Sequence, residues 1–115
     1  MAKTFALVTD QGGRFPTCYA FDRELKGQKA VVLFIGPNCP SCPEYLVRLA
    51  EMGEVPETAF AVINIAECDG VAHRYGVEVV PTIMLKSRTR RFETVPLTGK
   101  AKEDVQALKL SLQGG

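Results

Sequence analysis

Residues 30–43 read Ala30-Val31-Val32-Leu33-Phe34-Ile35-Gly36-Pro37-Asn38-Cys39-Pro40-Ser41-Cys42-Pro43. The run from Ala30 to Ile35 is continuously apolar and rich in β-branched residues, and Gly36-Pro37 ends it. Such a run suits a strand buried on both faces, as in a sheet covered by helices. Beyond the cysteines, Leu46, Leu49 and Ala50 recur at helical spacing up to Gly53. Prolines at 40 and 43 fit only the first turn of that helix, where few amides have intrahelical partners. The Cys-x-x-Cys therefore falls between a buried strand and a helix N-terminus.

That position gives the cysteine pair a chemistry. The nucleophile of disulfide exchange is the thiolate, and helix N-terminal amides together with the macrodipole stabilise that anion. Cys39 comes first, nearest the exposed end, and is expected to attack. Cys42 lies one turn on and is placed to resolve the mixed disulfide. Pro40 and Ser41 restrict the loop and add no charge. The motif alone also fits a metal-binding pair or two buried thiols; its place directly after a buried strand favours the redox use.

Outward from this centre, residues 3–9 read as an edge strand closed by the turn cluster Asp10-Gln11-Gly12-Gly13, and residues 17–25 as a helix between Pro16 and Gly27. Residues 58–66 form a second buried strand, 70–75 a short helix, 82–86 and 92–95 strands around a basic turn. Residues 101–112 form a closing helix with Val105, Leu108 and Leu112 on one face. The order β-α-β-α-β-α-β-β-α implies an α/β fold, a mixed central sheet with helices on both faces. A chain of 115 residues without repeat or linker is expected to be a single domain over 1–115.

The stretch Tyr75-Gly76-Val77-Glu78-Val79-Val80-Pro81-Thr82 places a proline directly before an apolar strand, a position a sheet tolerates only at the first residue. Taken with Cys39-Pro40-Ser41-Cys42, it makes the chain resemble the thioredoxins from about residue 3 to 112. The resemblance implies the thioredoxin fold, thiol–disulfide exchange with protein substrates, and a disulfide between Cys39 and Cys42. It also implies a cis Val80–Pro81 bond facing the dithiol, with Val80 and Pro81 as a substrate platform to which an extended segment adds as a strand. An electron donor such as a reductase is implied as a partner, and no cofactor.

This chain departs from the family at several points. Asn38 stands where a tryptophan commonly precedes the first cysteine, and there is no Trp at all. Leu33 occupies the place of the family's buried carboxylate, and Val62 that of its accompanying lysine. Without that acid Cys42 must lose its proton to water, to Cys39 or to another group; Glu44 is a candidate, though it reads first as a solvated helix residue. The missing acid and Trp motivate a second reading, a binding module that holds partners in the Val80–Pro81 groove without efficient turnover; a third, built on all four cysteines, is a metal or iron–sulfur protein.

Cys18 and Cys68 lie outside the motif at irregular spacing and read as buried structural residues, with a secondary disulfide as the alternative. No metal is expected. His73, the sole histidine, reads as a surface or capping residue. The basic run Lys86-Ser87-Arg88-Thr89-Arg90-Arg91 reads as a solvated hairpin turn, with docking to an acidic partner as the other use. A formal net charge of +1 gives no field to draw nucleic acid or an anionic membrane. The N-terminal apolar run is too short for a signal-peptide core and no other run approaches a membrane span, so a cytoplasmic monomer is expected.

Overall fold

The apolar run at 30–35 occupies the middle of the sheet. The computed structural model describes residues 6–8, 27, 29–52, 58–87 and 91–114. Its strands are β1 (Ala6–Val8), β2 (Lys29–Ile35), β3 (Thr58–Asn64), β4 (Thr82–Lys86) and β5 (Glu93–Val95). The helices among the described residues are α1 (Cys42–Glu51), α2 (Asp69–Arg74) and α3 (Ala101–Gly114). The strands form one sheet in the order β1-β3-β2-β4-β5. β3 pairs in parallel with β1 and β2, whereas β4 runs antiparallel to β2 and to β5. This is the mixed sheet expected from the element order, with β1 at an edge. The helix expected over residues 17–25 lies outside the described residues.

Both phases of β2 are covered. Val31 and Leu33 pack with Tyr45 and Leu49 of α1 and with Val105, Leu108 and Leu112 of α3. Ala30, Val32 and Phe34 point the other way, into a cluster with Ala61, Ile63, Met84 and, from α2, Val71 and Ala72. A strand with no face toward water has no use for alternating polar residues, hence the unbroken run. Full burial of each Val, Leu or Phe contributes about 1.5–3 kcal/mol.

Three details correct the sequence reading. In α1 the buried residues are Cys42, Tyr45 and Leu49, while Leu46 is half-buried and Ala50 exposed. Tyr45 turns the packed face because its ring fills the core and its hydroxyl finds a buried acceptor in Asp104. Lys86 is not solvated: it ends β4 opposite Ala30 and is only 7% exposed. Cys68 is buried, as expected, but as half of a disulfide and not as a thiol; Cys18 lies outside the described residues. Among the described residues no group of His, Cys, Asp and Glu is gathered to hold a metal ion, and no helix is long and apolar enough to cross a membrane.

Leu33 is fully buried at the centre of the core that carries α1 and α3. Leu33→Ala is therefore expected to cost about 2–5 kcal/mol of stability through lost burial and a residual cavity. Urea unfolding should show a lower midpoint with an unchanged slope; a loss below about 1 kcal/mol would mean that the helices do not depend on this strand.

Candidate active site: a cysteine pair beside an apolar groove

At the end of β2 the Ile65 N–H donates to the Ile35 carbonyl at 2.8 Å, holding the chain to its neighbour as it leaves the sheet. Gly36 comes next. A Cβ there would lie 3.1 Å from Ile65 Cγ1 and 3.5 Å from Val80 Cγ2, so the missing side chain allows the close approach of Ile65 while Val80 packs at ordinary contact distance. Asn38 then adopts φ 59°, the left-handed region in which Asn is among the few non-glycine residues found. This turn carries Cys39 to the start of α1.

The Cys42 N–H donates to the Cys39 carbonyl at 3.3 Å, and the Tyr45 N–H to the Ser41 carbonyl at 3.2 Å. Pro43 falls within the first turn, as its missing N–H requires. Cys39 and Cys42 are joined, with an S–S distance of 2.06 Å and a Cα–Cα distance of 5.4 Å. Cys42 is 5% exposed and Cys39 only half-buried, so Cys39 is the more accessible of the two.

Val80 and Pro81 are brought to the same place. The Val80–Pro81 peptide is cis, and the Thr82 hydroxyl donates to the Val79 carbonyl at 2.6 Å, closing the turn that precedes β4. Pro81 shares with Ser41 a cavity of about 370 Å³, whose other walls include Val79, Tyr45, Val95 and Leu97. Val79 is 70% exposed at its rim. Among the described residues neither peptide group of Val80 meets a hydrogen-bond partner.

One buried acid holds Tyr45, a wall of this groove. Asp104, near the start of α3 and 5% exposed, accepts the Tyr45 hydroxyl. It also accepts the Thr98 N–H at 3.0 Å and the Thr98 hydroxyl at 2.8 Å. The Lys100 N–H in turn donates to the Thr98 hydroxyl oxygen at 3.2 Å. Burial alone would raise the Asp104 carboxyl, but the bonds from Tyr45 and Thr98 outweigh it and hold the group below the usual range. Burial, then the bond to Asp104, pushes the Tyr45 hydroxyl up to about 12.

The places of the family's buried carboxylate and lysine hold Leu33 and Val62, paired in register on adjacent strands and both buried. Glu44 and His73 are exposed. Tyr45 and Asp104 were not singled out from sequence. The available signals were Tyr45 one helical turn after Cys42, and an acid standing next to Val105 on the apolar stripe of the last helix.

A family model described as Thioredoxin matches residues 16–109. Solved structures of similar fold include thioredoxin from Trypanosoma brucei brucei, with 15% identity over 99% of this chain and 92% of that one, at a TM-score of 0.76. The oxidised mitochondrial thioredoxin 3 of Saccharomyces cerevisiae aligns at 17% identity over 96% and 95%, with a TM-score of 0.73. The J-Trx1 fragment of ERdj5 aligns at 14% identity and a TM-score of 0.68; 93% of this chain covers 52% of it, so the chain spans about half its length. At these identities the likeness is one of fold. No curated protein matches the chain.

The Asp104–Tyr45 pair sets two limbs of a pH–stability profile. Asp104, held low, contributes fully above the ordinary Asp value of about 3.9, and that contribution is lost as pH falls through its folded value. Tyr45, held high, contributes fully below about 10 and loses that contribution as pH rises toward 12. Asp104→Asn should lower stability at neutral pH by about 1–3 kcal/mol and flatten the acid limb. Tyr45→Phe should flatten the alkaline limb. Urea melts across pH test both, and profiles parallel to wild type would refute the coupling.

Proposed function

The chain belongs to the thioredoxin family, and on that premise we propose that it is a thiol–disulfide oxidoreductase acting on protein substrates through Cys39 and Cys42. The observation that carries the reading is the bonded cysteine pair at the N-terminus of α1, next to the groove that holds Pro81. In the reduced protein the Cys39 thiolate attacks one sulfur of a substrate disulfide. The substrate S–S bond breaks, its departing sulfur takes up a proton, and a mixed disulfide joins Cys39 to the substrate. Cys42 then loses its proton and attacks the Cys39 sulfur, closing the Cys39–Cys42 bond and releasing the second substrate thiol. The substrate gains two electrons and the dithiol loses them.

The more accessible position of Cys39 supports its role as attacking sulfur, and the burial of Cys42 its role in resolution. With Leu33 and Val62 in place of an acid and a lysine, the Cys42 proton leaves to water or to the departing substrate thiolate. The Val80 peptide groups, which meet no hydrogen-bond partner among the described residues, suit an extended substrate segment laid beside Pro81, with Val79 adding apolar surface. A separate dithiol donor would restore the reduced form. A cytoplasmic, monomeric state completes the proposal, on the sequence features described first.

The apolar Leu33–Val62 rung favours one second reading, a binding module with little turnover. Insulin reduction with dithiothreitol separates the two: the proposed enzyme should accelerate precipitation, and a pure binder should not. Cys39→Ser should abolish activity, whereas Cys42→Ser should accumulate mixed disulfides visible by mass spectrometry. Iodoacetamide should modify Cys39 ahead of Cys42 at neutral pH; the reverse order would exchange their roles.

A further inference from the structure

Lys86, at the end of β4, takes no part in the dithiol chemistry and stands at the other end of the sheet. β4 is antiparallel to β2, so Thr82, next to Pro81, pairs with Phe34, while Lys86 pairs with Ala30 at the opposite end. The Lys86 side chain is buried there. Its Nζ lies 3.5 Å from the Ser87 carbonyl oxygen, at the limit of a hydrogen bond, and 5.9 Å from the Phe92 ring centroid. Among the described residues no carboxylate pairs with it. Burial lowers its proton affinity. A buried ammonium with so little compensation is costly, and an anion brought to it would remove much of that cost.

Lys86 borders a concave cavity of about 320 Å³, shared with Lys29, Arg91, Ser87, Ser111 and Glu93. The cationic side chains outnumber the single carboxylate, and the serine hydroxyls add neutral donors. We propose that this cavity binds a small phosphate-bearing molecule, with Lys86 as its buried anchor and Arg91 and Lys29 at its mouth. A phosphate group has several oxygens to meet donors converging from different sides, and Arg offers them paired N–H groups. The cavity is larger than a phosphate group, so an organic remainder fits beside it. Glu93 is placed to accept from a hydroxyl or amine of that remainder. A cavity of this size with one buried amine favours such a ligand over an acidic protein segment, which would meet a broad face.

Isothermal titration of the full chain with inorganic pyrophosphate, at ionic strength fixed with potassium chloride, should show one saturable site. Lys86→Met and Arg91→Ala should each weaken it roughly tenfold or more, and both variants should keep wild-type insulin reduction. Because Lys86→Met also alters packing in β4, nuclear magnetic resonance of the wild type supplies the second measurement. Pyrophosphate should raise the proton affinity of Lys86 Nζ and shift the amides of Ser87, Arg91 and Ser111, leaving those of Cys39 and Cys42 in place. No saturation, equal affinity in both variants, or shifts centred on the dithiol would overturn the site. Binding of a hexaglutamate peptide in the absence of pyrophosphate binding would overturn it in favour of an acidic protein partner.

Discussion

β2 has no side that faces water, and the rest of the molecule follows from that. Its odd-numbered residues require cover from α1 and α3, and its even-numbered ones from α2 and the residues around Cys68. Neighbours are needed on both edges as well, supplied in parallel by β3 and antiparallel by β4. A strand enclosed in this way releases the chain only at its ends. The end at Ile35 is therefore a fixed point, and the tight passage through Gly36 and Asn38 sets Cys39 at the rim with little freedom.

The same enclosure fixes the approach from β4. Because β4 begins at Thr82, opposite Phe34, the residues just before it arrive beside the loop that carries the cysteines. Tyr45, one wall of the groove between them, belongs to a polar knot in an otherwise apolar region, with Thr98 from the loop and Asp104 from α3. Buried polar groups are tolerated when fully satisfied, and each atom of this knot has its partner. The arrangement ties α1, the helix bearing Cys42, to α3 and to the loop that holds Thr98.

Much of this was legible from the residues. The run at 30–35, the prolines at 40 and 43 and the proline before Thr82 are strong local signals, because each permits few backbone settings. What escaped was amphipathic. Tyr45 carries a ring that belongs in a core and a hydroxyl that needs an acceptor, and helical spacing alone directed attention to Leu46 and Ala50. Asp104 reads as a first-turn acid until its buried partners are seen. Lys86 stands in a run of cations that looks solvated, yet the pairing of β4 with β2 carries it beneath the surface. Long-range partners decide each of these cases, and a pattern along the chain does not contain them.

The antiparallel register of β4 has one more consequence. It sends Pro81 and Lys86 to opposite ends of β4, five residues apart, which at roughly 3.3 Å per residue separates them by about 17 Å. That exceeds the Debye length of about 8 Å at physiological ionic strength. Charge gained or lost around Lys29, Lys86 and Arg91 is thus electrostatically insulated, across the solvent, from the sulfurs beyond Ile35. One end of the sheet is free to vary in charge while the other keeps its thiolate chemistry, a division of the molecule into independently adjustable poles.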